Sequence, residues 1–81
     1  MAEIAYEAAV SKIGAIWADI LSVPSVSPTD NFFGLGGDSI MVSIMALQVE
    51  HALDVMVPLD MVFDTQDLGE FTKAVLAAEP I

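Results

Sequence analysis

Apolar residues recur at helical spacing in three separate stretches of this chain, and a proline-rich break divides the first from the second. Tyr6, Val10, Ile13, Trp17 and Ile20 follow one another at steps of four, three, four and three, with Leu21 next to the last, which is one face of a helix, while Glu7, Ser11, Lys12 and Asp19 fall largely on the other side. "SVPSVSPTD" (22–30) ends that helix, because Pro24 and Pro28 cannot continue it. A second helix is predicted from near Ser39 to about Leu53, with Val42, Met45, Ala46, Val49 and Leu53 facing the core. A third covers about Asp67–Ala77, with Leu68, Phe71, Val75 and Leu76 inward, Thr65 or Asp67 at its N-cap, and Gly69 weakening it slightly.

Only "VMVPLDMVF" (55–63) has strand character, in Val55-Met56-Val57, and no second strand is apparent to pair with it. It reads as a loop followed by a short helical turn at about Asp60–Phe63, and "AEPI" reads as a frayed tail. The sum is a small all-α protein: a four-helix bundle of three main helices and one short one, with a long loop after the first. With 81 residues it is expected to be one domain over 1–81, its core running from about Ile4 to residue 77.

Composition narrows the functional classes. The chain holds 56% hydrophobic residues, enough for a packed core, and no cysteine, which excludes disulfides and thiolate zinc sites and suits a reducing cytoplasm. No apolar run approaches a membrane span, and the acidic start does not read as a secretion signal. Twelve acids stand against Lys12 and Lys73, a net charge of −10. Two lysines build no basic face for nucleic acid, and an anionic membrane would repel the chain. The acidity either keeps a hydrophobic small protein soluble or steers it to basic partner proteins.

The segment "FFGLGGDSIMVSIM" (32–45) carries the chemistry. Its serine, Ser39, is not a hydrolase nucleophile. The G-x-S-x-G elbow fails at Met41, and the sheet it needs is missing. An activated serine needs a base within reach, and the only histidine, His51, lies twelve residues along the same helix, about 18 Å away. "GLGGDS" is no Walker loop, since Asp38 takes the lysine's place, and no dinucleotide fingerprint. Asp54, Asp60, Asp64 and Asp67 lack calcium-loop spacing and read as surface and capping residues. No metal site and no catalytic residue is assigned.

Two readings of Ser39 are open on the residues alone. Ser39 or Asp38 is a plain N-cap beside a glycine turn, or Ser39 is an exposed hydroxyl at a helix N-terminus, where an attached phosphate is favoured and another enzyme supplies the base. The outer side of the same helix carries Ile40, Met41, Ile44 and Leu47 where a solvent face normally takes charged residues. That is a candidate docking patch, with Met41 lending adaptability. Phe33, Leu35 and Trp17 are assigned to the core.

"IWADIL", then "PTDNFFGLGGDSI" and the "VPLDMVF" segment, resemble a peptidyl carrier protein, the thiolation domain of nonribosomal peptide synthesis and of antibiotic biosynthesis, within the acyl carrier protein-like superfamily. The resemblance runs from about Ile4 to Val75. It implies a non-catalytic four-helix carrier in which Ser39 bears 4′-phosphopantetheine, Gly36 and Gly37 let the transferase approach the backbone, and Asp38 caps the helix or meets the transferase. The arm's thiol then holds an aminoacyl or peptidyl group as a thioester. The implied partners are a phosphopantetheinyl transferase, an adenylation enzyme, and condensation or tailoring domains, with the carrier itself a cytoplasmic monomer. Three positions depart from the family pattern: Gly34 where an acid is usual, Gln66 where a proline commonly opens the last helix, and Ser22 where a glycine often follows the first. Asp38 resembles the variant often found ahead of epimerization domains. Fatty-acid and polyketide carriers tend to place acids directly after the serine, where this chain has Met41 and Ile44. An acyl or aryl carrier is the nearest competitor, and an acidic helical adaptor without cofactor is the rival from another class.

Overall fold

The computed structural model describes residues 5–81. Ile4, the expected start of the core, lies outside the described residues. Four helices follow in order: α1 (Tyr6–Leu21), α2 (Ser39–Leu53), α3 (Leu59–Phe63) and α4 (Leu68–Leu76). α1 packs on α2 and α4, and short α3 bridges α2 and α4. Among the described residues no helix is long and apolar enough to cross a membrane.

The helical spacing translates directly into the core. Ile13 and Trp17 of α1, all five inward residues assigned to α2, and Leu68, Phe71 and Val75 of α4 are buried in one cluster with Phe32, Val57 and Val62. Val10, Ile20 and Leu21 line its edge. Trp17 is the hub: the Phe32 ring meets it edge-on at 5.1 Å and the Phe71 ring lies tilted at 5.8 Å. Each such large side chain contributes roughly 1.5–3 kcal/mol on burial.

Leu76, expected inward, is exposed. It lies one residue beyond the stripe 68–71–72–75, in the last turn of α4. Thr72 fills the stripe instead, fully buried because its hydroxyl donates to the Leu68 carbonyl at 2.8 Å. Asp67 is the N-cap of α4, accepting from the Glu70 amide at 2.8 Å. Thr65 serves the end of α3, donating to the Met61 carbonyl at 2.9 Å and lying 3.2 Å from that of Val62.

Gly69 has a packing reason to be glycine. The long first loop crosses the start of α4 and accepts from its unpaired amides, Leu68 N–H to the Asp30 carbonyl at 2.9 Å and Gly69 N–H to that of Pro28 at 2.8 Å. A β-carbon there would lie 3.0 Å from the Tyr6 hydroxyl and 3.3 Å from the Pro28 oxygen.

The segment after α2 does find a partner, against expectation. Val55 forms an isolated antiparallel bridge with Pro80, Met56 N–H donates to the Glu79 carbonyl at 2.9 Å, and Ile81 N–H donates to that of Asp54 at 2.9 Å. The C-terminal residues are thus a clasp on the α2–α3 connection. Glu50 holds the same connection from the helix side, accepting from the Val57 amide at 2.7 Å. α3 begins one residue earlier than expected, directly after Pro58.

Candidate functional site at the start of α2

Ser39 is the first residue of α2 and is exposed. Asp38 before it has extended backbone geometry, and its carboxylate accepts from the Met41 amide at 2.9 Å. Asp38, not Ser39, therefore caps the helix, and the Ser39 hydroxyl is left out of the capping bond. His51, in the last turn of the same helix, is too far along it to serve as a base.

The loop before the serine is folded on itself. Asn31 accepts from the Gly34 amide through its side chain at 2.9 Å and from the Leu35 amide through its carbonyl at 3.0 Å, and its side-chain amide donates to the Gln66 carbonyl. Gly36 donates to the Phe33 carbonyl and Gly37 to that of Phe32, each at 3.0 Å. The two glycines are required for different reasons. Gly36 has φ +102°, a conformation that side chains rarely adopt, with open space around it. Gly37 has no such φ, but a β-carbon there would run into the Phe32 ring and lie 2.8 Å from the Phe32 oxygen. Internal packing, besides any transferase, explains Gly37.

The departures noted in the sequence are absorbed locally. A β-carbon at Gly34 would make only ordinary contacts with Asn31, the nearest at 3.4 Å. The Gln66 amide donates to the Glu70 carboxylate at 3.0 Å, a bond proline could not make. Ser22 adopts the left-handed conformation (φ 57°, ψ 44°) in which glycine is the unstrained residue.

Of the four apolar residues assigned to the outer side of α2, three are exposed: Ile40 at 74%, Leu47 at 55% and Ile44 at 46%. Met41 is half-buried and packs against the core, because it lies at the border between the two sides. Phe33, assigned to the core, is a surface residue. Its ring stacks on Phe63 of α3 at 5.6 Å with 14° between the planes, while Phe32 fills the core position. Leu35 is partly buried. Leu59, Phe63 and Met56 are also exposed and were not singled out from the sequence. Leu59 and Phe63 are four apart, a helical pair that the spacing of "LDMVF" carries.

An exposed serine at the mouth of a 15-residue helix, with the first amides lacking partners inside the helix and open space at Gly36, has room for a phosphate-linked arm. No side chain needs to move to expose the hydroxyl.

Comparison with known proteins agrees with this geometry. Residues 11–75 match the family model described as the phosphopantetheine attachment site. The chain is 36% identical over 66 residues to bacitracin synthase 3 of Bacillus licheniformis and 36% identical over 67 residues to the phosphinothricin tripeptide synthetase PhsB of Streptomyces viridochromogenes. These alignments take in 78% and 83% of this chain but only 1% and 6% of the relatives. The fold superposes with a TM-score of 0.84 on BlmI, a type-II acyl carrier protein from Streptomyces verticillus involved in bleomycin biosynthesis, at 32% identity and covering 89% of this chain and 87% of that one. It matches with a TM-score of 0.81, at 29% identity and covering 85% and 90%, a chain in the complex of the phosphopantetheine transferase Sfp with coenzyme A and a peptidyl carrier protein. The exposed serine behind its glycine turn, the four-helix frame and these matches lead to one conclusion: the chain belongs to the phosphopantetheine attachment-site family and is a carrier domain of the peptidyl carrier type.

Proposed function

We propose that Ser39 is the residue that takes 4′-phosphopantetheine, and that the whole of 1–81 acts as one carrier domain presenting aminoacyl or peptidyl thioesters to partner enzymes of nonribosomal peptide or related synthesis. The observation that carries this reading is the exposed Ser39 hydroxyl at the start of α2, left out of the Asp38 cap and followed directly by the exposed Ile40. In the attachment step the Ser39 oxygen bonds to the pantetheine-side phosphorus of coenzyme A, the pyrophosphate link breaks, and the nucleotide half leaves. The serine proton goes to a base of the transferase. The arm, once attached, supplies a thiol that holds acyl groups as thioesters.

The domain's own contribution is tethering and presentation. A bound acyl group reaches a high effective concentration at each partner in turn. Gly36 and Gly37 shape the approach to Ser39, and Asp38 holds the first turn of α2 in place. Ile40, Ile44 and Leu47, with Met41 at the border, form the docking face for the transferase, an adenylation enzyme and a condensation or tailoring domain. The working form is a cytoplasmic monomer, which the cysteine-free composition suits.

The test is intact mass. The chain incubated with coenzyme A and a phosphopantetheinyl transferase should gain one phosphopantetheine, and the modified form should then be loaded by an ATP-dependent adenylation enzyme. Ser39→Ala should gain nothing while keeping its helicity. A mass gain that survives in Ser39→Ala defeats the assignment.

A further inference from the structure

Trp17 is 2% exposed, and its indole N–H is the one fully buried side-chain polar atom among the described residues that meets no protein acceptor. A buried donor of this kind is rarely left alone. Trp17 also lines a narrow crevice of about 10 Å³, the room one water molecule needs. The crevice lies where three parts of the fold meet: Trp17 from α1, Asn31 and Phe33 from the serine loop, and Thr65, Gln66 and Asp67 from the α3–α4 junction.

We propose that this crevice binds one structural water, which accepts from the Trp17 indole N–H and donates to the Thr65 hydroxyl oxygen and the Asp67 carboxylate. Of the other polar side chains there, Gln66 is exposed to solvent and Asn31 is committed. Both ends of the Asn31 side chain are engaged, by Gly34 and by the Gln66 carbonyl. Thr65 gives its proton to the end of α3, which leaves its oxygen's lone pairs to accept. Asp67 uses one carboxylate oxygen for the Glu70 amide, which leaves the second. Three partners are the usual complement of a buried water. The water ties α1 to the junction that Asn31 also grips, behind the Phe32 ring that packs against Gly37. It is a fixed part of the support under the serine loop.

The test begins with the unaltered chain labelled with nitrogen-15. The Trp17 indole proton should show a magnetisation-transfer cross-peak to a water that tumbles with the protein, and a high-resolution crystal structure should place a water oxygen about 2.7–3.2 Å from Nε1. An indole proton with no such cross-peak, or one donating directly to a protein oxygen, overturns the proposal. Thr65→Val should lose the cross-peak and speed exchange of the indole proton with solvent, and Thr65→Ser, which keeps the hydroxyl, should restore both. A Thr65→Val chain that keeps the wild-type cross-peak and exchange rate removes Thr65 as a ligand and with it the three-way bridge.

Discussion

On the inner side of α2, Val42, Met45, Ala46, Val49 and Leu53 are buried, whereas on its outer side Ile40, Ile44 and Leu47 stand open to solvent. The outer side mixes these three with Ser43, Gln48 and His51, and helical phase, not side-chain type, decides which of the apolar residues are buried. α4 shows the ordinary arrangement, with Leu68, Phe71 and Val75 inside and Glu70 and Lys73 outside. α2 departs from it by carrying apolar residues that contribute little to folding. Had they been buried, each would have contributed roughly 1.5–3 kcal/mol. This partly exposed apolar side, beginning next to an exposed serine, is the surface on which the proposed docking rests.

The contrast is broken most severely from the inside. Val49→Glu places an unpaired charge in a site with no exposure. Its cost should exceed the roughly 3–5 kcal/mol that a core of this size supplies. Loss of helical circular dichroism at 25 °C is the expected result. A folded Val49→Glu would mean that α2 is rotated from the orientation described.

That orientation was legible in the sequence because α2 is long and strictly periodic. The spacing 42–45–46–49–53 delivered five buried residues, and Asp38 followed by an apolar run marked the helix start. What stayed illegible lay where no period operates. Phe32 and Phe33 are adjacent in an irregular loop, and only the packing against Trp17 and Gly37 decides which turns inward. The clasp of residues 79–81 on 54–56 pairs distant segments through backbone groups, which leave no mark on side-chain pattern. Leu76 and Met41 sit at the edges of their stripes, where a one-residue step is about 100° and buried becomes exposed by degrees. Ser39 itself was legible as an exposed site through its motif, whereas its release from capping duty shows only in the Asp38–Met41 bond.

Gly37→Ala probes the hinge between the two sides, since Gly37 contacts the core ring Phe32 while preceding the serine by two residues. The added methyl should displace Phe32 and cost about 1–3 kcal/mol, read as a lowered midpoint in urea. Phosphopantetheinylation under strongly native conditions should persist at a reduced rate. An unchanged midpoint together with abolished modification would assign Gly37 to transferase contact alone and undo the packing explanation.

On the outer side the expected pattern reverses. Ile44→Glu should leave stability within about 0.5 kcal/mol, as befits a half-exposed surface position. It should slow loading by an adenylation enzyme five- to thirtyfold, the equivalent of about 1–2 kcal/mol of docking energy. Because the lost contact is apolar, raising the salt from low to physiological should change loading by the unaltered chain only modestly. A destabilised Ile44→Glu with unimpaired loading would exchange the roles of the two sides.

Ser22→Gly changes neither side and so separates stability from docking. Ser22 closes α1 in the left-handed conformation, its amide donating back to the Ala18 carbonyl. A non-glycine residue pays about 1–2 kcal/mol for that conformation. Glycine removes this strain but makes the unfolded chain more flexible, which takes back about 0.4–1 kcal/mol. The net gain should be about 0.5–1 kcal/mol, a rise in Tm of roughly 2–8 °C for a domain of this size. Modification of Ser39 and aminoacyl loading should match the unaltered chain, because the substitution lies at the end of α1 and leaves the serine loop and the outer side of α2 as they were. Thermal unfolding followed by circular dichroism, paired with loading rates from intact mass, reads both quantities on one sample. A Ser22→Gly chain that is more stable yet loads more slowly would show that loading draws on mobility of the loop that Ser22 opens, and the division between a folding side and a docking side of α2 would then have to include the loop as a third participant.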